Sequence, residues 1–501
     1  MPLPNKVDIL IVGAGPVGTA AACAILNNID AEARSDFKLL IVDSNESINS
    51  FSPTHSRAIG VHARTFELLA ETVDDPQARE QQVGVRGRQQ IPLVSDPSSP
   101  PERTDSVTRS LLERGNLLTK ITFRSAGKTK PLMTMDFPGA LRDSQYQQFC
   151  IISQRLTDAT LRARLATLGG CIEGGWSIAH LERRGKAAPV AVTLEHDKLG
   201  SHEVEADFVI GADGGHSLVR QLVGLGFPRS SMKQPLLLAE IRTADPQWPY
   251  SYPELGYDGL EGCQAYCKQG LGISIPMTGN WMRIAASFLP PGFQEVYRRT
   301  TGKGIGGHEE GNRPSIEQLQ WTMDQYLPTG AEWREGAEKK EGLRPGDIVE
   351  VRFATTFKVH HGLVKSYVDH ETDRVVLIGD AAHVHSPMGG RGLNTGIQDA
   401  ATLSMALRPF FRTSALAAAS EERSAALHAW AQERRRIGQI CIRESRRQMS
   451  FALVTNRLLQ RLRNLAVSLL AYFPSITRGI IRSAAGVEFR PPAWKSPLLA
   501  A

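Results

Sequence analysis

Three segments of this sequence place glycines and carboxylates where a folded chain can hold an anionic ligand. The first is Gly13-Ala14-Gly15-Pro16-Val17-Gly18, directly after the apolar run at residues 9–12. A GxGxxG run between a strand and a helix is a dinucleotide-binding fingerprint. The first glycine permits a sharp turn. The second lets a pyrophosphate approach the backbone, and the third lets helix and strand pack closely. The helix N-terminus adds free N–H groups and a partial positive charge for the phosphates. Asp43 ends the next apolar run and can accept hydrogen bonds from an adenosine ribose. It lies 25 residues beyond Gly18, past the usual spacing of about 20, and the polar insertion at residues 27–36 accounts for the excess. Alone, this motif reads as FAD or NAD(P) binding and does not choose between them.

Two later segments choose. Residues 206–211 form an apolar run that leads into Asp213-Gly214-Gly215, with Arg220 following. Residues 375–378 form another, leading into Gly379-Asp380-Ala381-Ala382-His383 and then Ser386-Pro387-Met388-Gly389-Gly390-Arg391-Gly392-Leu393-Asn394-Thr395-Gly396. Asp380, at a strand end, can hydrogen-bond the hydroxyls of a ribityl chain. Backbone N–H groups near residues 389–393 can face the N1–C2=O edge of a flavin. That edge is negative in the reduced anion, so a helix N-terminus there stabilises it.

In this order the three motifs resemble the flavoprotein aromatic hydroxylases, the family with the para-hydroxybenzoate hydroxylase fold. Ser56-Arg57-Ala58-Ile59-Gly60-Val61-His62-Ala63-Arg64-Thr65 is similar to the branch holding phenol 2-monooxygenases and polyketide hydroxylases. Gln154 matches that family's pyrophosphate-contacting glutamine, and Trp430-Ala431-Gln432-Glu433-Arg434-Arg435 resembles its C-terminal helix signature. The resemblance covers residues 7 to about 440.

It implies an NAD(P)H-consuming FAD monooxygenase. NADPH or NADH reduces FAD, O2 adds at flavin C4a, and the hydroperoxide passes one oxygen atom to an aromatic, phenolic or polyketide-like molecule. It also implies that Arg57 lies near the flavin, that Asp213 serves the cofactor, and that Pro387 borders the flavin. Hydroxylation is the leading reaction. Epoxidation of an electron-rich alkene is the alternative, ahead of a plain flavin reductase or a non-catalytic prenyl-lipid escort. The halogenase motif WxWxIP is absent. Arg391 stands where the family usually has Gln or a small residue; it either lies beside the flavin or points to solvent. The residues expected to hold the cofactor are Gly13, Gly15, Pro16, Val17, Gly18, Asp43, Arg57, Gln154, Asp213, Gly214, Asp380, Pro387, Gly389, Gly390, Gly392, Leu393 and Asn394. His383, His385, His62 and Asp399 read as structural, and Trp281 as core or cavity lining. No general base is singled out.

These motifs need an α/β frame: a Rossmann-like FAD-binding domain, an inserted sheet-based substrate domain and a C-terminal helical segment. The spacing predicts a βαβ opening, with a helix from Pro16 to about Leu26 and a strand at residues 38–42. Residues 81–148 lack helical periodicity and read as an excursion. Residues 154–168 read as helix, 271–275 and 282–287 as strands, 301–312 as a surface loop, and the chain after Gly396 as mostly helix. The expected division is 1–80, 149–232 and 370–407 for the FAD-binding domain, 81–148 and 233–369 for the substrate domain, and 408–501 for the C-terminal helices.

The 501 residues carry a net charge of +6, but much of it sits in arginine clusters near the C-terminus and no nucleic-acid motif accompanies it. Six cysteines without CxxC pairing predict no metal site and reduced thiols. The N-terminal residues read as a first strand, not a secretory signal, so a cytoplasmic location is expected. Residues 443–482 are basic and amphipathic, with Glu444 as the single acid and Leu458, Leu462, Leu465 and Leu469 at helical spacing. A helix packed on the substrate domain or on a homodimer partner is the expected main role. Peripheral membrane contact is the alternative.

Overall fold

Strand Lys6–Val12 is buried along most of its length because parallel neighbours flank it, Leu39–Asp43 on one side and Gly200–Gly211 on the other. Strands covered on both faces read as continuous apolar runs, which is the pattern at residues 9–12. The computed structural model describes residues 3–29, 34, 36–47, 58–80, 102–252, 255–257, 259, 261–290, 314–327, 343–411 and 421–490. Val375–Leu377 pairs parallel on the far side of Gly200–Gly211. The antiparallel strands Val190–His196 and Trp176–Glu182 extend the sheet to seven strands. Helix Pro16–Asn27 packs against both Gln154–Thr167 and Arg391–Phe411.

A second, eight-stranded sheet runs from His383–Val384 through Ile348–Leu363, Arg229–Thr243, Met282–Ala286, Gly270–Pro276 and Gly262–Cys267 to Lys120–Ser125 and Met133–Asp136. Side chains alternate across it. Leu237, Ala239, Ile241, Ile284 and Ala286 bury one face together with Leu319 and Met323 of helix Ile316–Asp324. Leu236, Leu238, Ala285 and Phe353 lie on the opposite face. His383–Val384 belongs by sequence to the third glycine motif, so this sheet is joined directly to the segment expected to meet the flavin.

The α/β class, the sheet-built insertion and the C-terminal helices expected from the sequence are all present. One stretch differs. Helix Val107–Arg114 lies inside the excursion and buries Val107 and Leu111 in the core of the first sheet. Ser106 caps it, accepting from the Arg109 N–H at 3.1 Å, a local signal weaker than periodicity. Residues 301–312 lie outside the described residues.

The C-terminal region folds as helices Glu421–Ala452, Arg457–Leu470 and Pro474–Ala485. Arg457–Leu470 packs on the substrate domain through Arg463, Val467 and half-buried Leu470, while Leu458, Leu462, Leu465 and Leu469 face solvent.

Candidate functional site

The three glycines of the first turn do separate jobs. Gly13 has φ of +104°, and a Cβ there would come within 2.5 Å of the Ala212 carbonyl oxygen. At Gly18 a Cβ would collide with the Gly13 carbonyl oxygen. At Gly15 it would meet nothing within 4 Å. Only the middle glycine therefore opens space, at the N-terminus of a helix with no side-chain cap and no acid in its first turn. Its unpaired N–H groups and dipole favour an anion there.

Asp43 fastens the next strand to this turn. It accepts from the Ala14 N–H at 2.8 Å and the Asn45 N–H at 2.9 Å. Gln154 opens its helix as expected and accepts from the Ala58 N–H at 3.2 Å. Arg57 lies outside the described residues.

A second open helix start stands at Arg391–Phe411. Gly389 and Gly390 have φ of +79° and +63° and are exposed, and a Cβ on Gly392 would meet nothing within 4 Å. Val17 couples the two openings: a Cβ on Gly396 would lie 2.6 Å from Val17 Cγ2, and one on Gly379 would lie 3.1 Å from Val17 Cγ1. The first turn of one helix is thus wedged against the strand end and helix of the other. Pro387 and Asp380 are exposed beside this loop, Asp380 in the turn Gly379–Ala381, and Leu393 is half-buried. The Asn394 side chain accepts from the His62 N–H and donates to the Gly60 and Gly390 carbonyls, each at 2.8 Å. That spends both its N–H protons on bracing the loop.

Asp213 caps the short helix Leu218–Leu222, accepting from the Leu218 and Val219 N–H groups at 2.7 and 3.1 Å. Burial pushes its pKa up. Gly214 has φ of +78° in the same turn. Arg220 ties that turn to the turn Gly379–Ala381, donating to the Gly215 and Ala381 carbonyls at 2.9 and 2.8 Å.

Beneath the loop lies a buried anchor. Asp399 accepts from His383 Nε2 at 2.7 Å, the Gly379 N–H at 3.0 Å and Arg434 Nε at 2.5 Å. Burial opposes its ionisation, but Arg434 and His383 outweigh that and hold the carboxyl below its usual range. His383 and Asp399 are therefore structural, as expected, and so is His62, whose Nδ1 meets the Ala484 carbonyl at 2.9 Å. Arg391 does not point to solvent. It is buried away from solvent and reaches back to Glu444 at 2.6 Å and Ser483 at 3.2 Å, clamping the C-terminal helices to the loop.

Opposite the loop stands the second sheet. Met388 of the glycine loop shares an apolar cluster with Ile273, Met232 and Tyr266, and this face continues through Leu236, Leu238 and Phe357. A buried ion cluster closes one end of it: Glu240 accepts from Arg283 and, at 2.8 Å, from Arg352 Nε. Trp281 lies between Arg242 and Arg352, whose guanidinium carbons stand 4.3 and 4.4 Å from the ring centre. Burial opposes the Glu240 charge, yet the two arginines keep its carboxyl below the ordinary range. Trp281 is buried at 5% exposure and packs in an apolar cluster with Met277 and Ile481.

Sequence reasoning missed a histidine pair. The register Gly362↔Val384, continued by one residue, sets His361 opposite His385. Both Nε2 atoms are buried without a partner. Burial lowers each pKa to about 4. Only strand pairing reveals this, because no local pattern links the two positions. One further group, His370, Asp373 and His428, has metal-ligand spacing. Its carboxylate is already held by Lys186, Ser424 and His428 at 2.7, 2.6 and 2.9 Å.

The arrangement offers two coupled helix N-termini to one extended ligand, with an apolar wall facing the second. Residues 6–254 and 329–445 match the family described as FAD binding domain. The chain belongs to the FAD binding domain family. Two open cradles joined through Val17 suit a dinucleotide whose pyrophosphate and ring system lie apart. Among relatives of this FAD binding domain chain, a 12-dehydrotetracycline 5-monooxygenase/anhydrotetracycline 6-monooxygenase of Streptomyces rimosus is 27% identical over 402 residues, 80% of this chain and 62% of the relative. A rifampicin monooxygenase of Streptomyces venezuelae is 24% identical over 80% of this chain and 63% of its own. The chain thus spans less than two thirds of these relatives. Among solved structures, p-nitrophenol 4-monooxygenase from Pseudomonas putida shares the fold with a TM-score of 0.68, 17% identity and coverage of 96% and 99% of the two chains. An anhydrotetracycline hydroxylase from Streptomyces rimosus shares it at a TM-score of 0.62 and 22% identity, covering 97% of this chain and 77% of that one.

Proposed function

We propose that this chain is an FAD-dependent monooxygenase that inserts one oxygen atom from O2 into an aromatic or polyketide-like molecule, with NADPH or NADH as electron donor. The observation that carries the reading is the apolar strand face of Leu236, Leu238, Ile273 and Phe357 set against the same glycine loop that opens a helix N-terminus. A flavin would supply the redox and oxygen chemistry when bound.

The chain's own residues do the holding. Gly13, Gly15, Pro16, Val17 and Gly18 form the pyrophosphate turn, with Gln154 beside it and Asp43 able to accept from a ribose. Asp213, Gly214 and Asp380 stand at the strand ends along the ligand's path. Pro387, Gly389, Gly390, Gly392, Leu393 and Asn394 make the loop under the ring system. The dipole of helix Arg391–Phe411 favours negative charge on the ring edge beside it. The apolar face excludes water from the reacting atoms and takes a flat hydrophobic substrate. The names of the relatives support this class of substrate.

Purified protein with a flavin absorbance spectrum, and NAD(P)H oxidation stimulated by an aromatic substrate, supports the reading. A colourless protein after reconstitution with FAD, or oxidation indifferent to every aromatic compound offered, contradicts it.

A further inference from the structure

We propose that helices Arg457–Leu470 and Pro474–Ala485 form a docking surface for an anionic lipid bilayer. On the first helix Leu458, Leu462, Leu465 and Leu469 are 64%, 52%, 56% and 50% exposed. At the corner between the helices Tyr472 and Phe473 are 80% and 52% exposed, and Ile476 continues the ridge at 48%. An isolated exposed leucine is ordinary, but a contiguous run of this size marks an interaction site.

The helix has turned its amphipathic pattern outward. Its protein side is held by polar contacts: Arg463 donates to the Ala452 carbonyl at 2.8 Å and lies over the Tyr266 ring at 4.3 Å, and Asn464 donates to Ser125 at 2.8 Å. Val467 joins the buried cluster that includes Met388, and half-buried Leu470 packs against it. The leucine face is therefore not surplus from a packed interface; the interface uses the other side.

Charge selects the occupant. From Ser445 to Val487 the sequence contains no Asp or Glu, while Arg457, Arg461 and Arg478 are exposed along the ridge. Apolar side chains flanked by arginines suit the interface of a bilayer with anionic headgroups. A second copy suits it poorly, since a two-fold contact sets a patch against itself and would bring arginine to arginine with no acid to neutralise it. The geometry is that of a surface contact. Among the described residues no single helix is long and apolar enough to cross a membrane, and these two meet at 97°. The bilayer would then lie one helix diameter, ~10 Å, from the cluster that includes Met388.

The test is co-sedimentation of the full chain with phosphatidylcholine vesicles, with and without phosphatidylserine, for wild type, Leu462→Gln/Leu465→Gln/Leu469→Gln and Arg457→Gln. All the substituted side chains are exposed and glutamine keeps the helix, so circular dichroism should match wild type. Wild type is expected to bind the anionic vesicles and to be released by high salt. The triple variant is expected to lose about a hundredfold or more in partitioning. Arg457→Gln is expected to lose about fivefold on anionic vesicles only. The proposal is overturned if wild type ignores anionic vesicles or if the triple variant binds as wild type does. It is equally overturned if wild type sediments as a dimer in solution that the triple variant turns into a monomer, which would assign the face to a second copy.

Discussion

Arg434 Nε stands 2.5 Å from Asp399 Oδ1, and both side chains are buried. The other carboxylate oxygen takes His383 Nε2 and the Gly379 N–H. One carboxylate thus fixes the start of the flavin-motif turn, the helix that follows it and the long helix Glu421–Ala452.

Removing one partner leaves a buried charge alone, at a cost of about 3–5 kcal/mol. Asp399→Ala and Arg434→Ala should each lower the denaturation midpoint and reduce bound flavin. Asp399→Ala combined with Arg434→Ala should be less destabilised than the sum of the single changes. Chemical unfolding of the four proteins measures this, and additive losses would show that the pair does not act as a unit.

The glycine turn gives a contrast between two substitutions. Gly15→Val adds atoms in open space at φ of −65°, so the chain should fold yet lose most of its flavin. Gly18→Val adds them against the Gly13 carbonyl and should fold poorly or not at all. Circular dichroism beside flavin absorbance separates the outcomes. A folded, fully yellow Gly15→Val would remove the pyrophosphate from this turn.

Much of this was readable in the sequence because it is local. Gly13, Gly15 and Gly18 have their separate jobs fixed by one strand, one turn and one helix. The partners of Arg391 were not legible, because Glu444 and Ser483 come from helices far along the chain. The pair His361 and His385, and the cluster of Glu240 with Arg283 and Arg352, depend on strand register, which residue spacing does not encode. The leucine stripe of helix Arg457–Leu470 was visible as a stripe, but periodicity gives a face without saying which side meets the protein.

Acid should weaken the fold through three histidines. Burial lowers His62, His361 and His385 to about 4, against an ordinary 6.5. Between those values the unfolded chain binds protons that the folded chain does not, so stability falls as pH drops from about 6.5 toward 4. Below about 4 the folded histidines protonate as well and the contribution levels off. The melting temperature should fall by several degrees from pH 7 to pH 5, and less steeply in His361→Gln. Equal slopes for the two proteins would remove His361 from the account.

Arg391→Gln should loosen the C-terminal helices without emptying the cradles. Losing a partly buried pair with Glu444 costs roughly 1–3 kcal/mol, between the surface and buried cases. Limited proteolysis should cut the variant faster between residues 445 and 490, while flavin content stays near wild type. Unchanged cleavage would mean that Arg391 is not the clamp.

Oxygen transfer itself is tested most directly with isotopically heavy dioxygen. The purified yellow protein is supplied with NADPH or NADH and a panel of phenolic and polyketide-like compounds, and products are weighed by mass spectrometry. The account predicts a product carrying one heavy oxygen atom, with one NAD(P)H consumed per product. The position of that atom distinguishes hydroxylation from epoxidation. Product carrying oxygen from water, or flavin reduction and reoxidation with every compound returned unchanged, would contradict it.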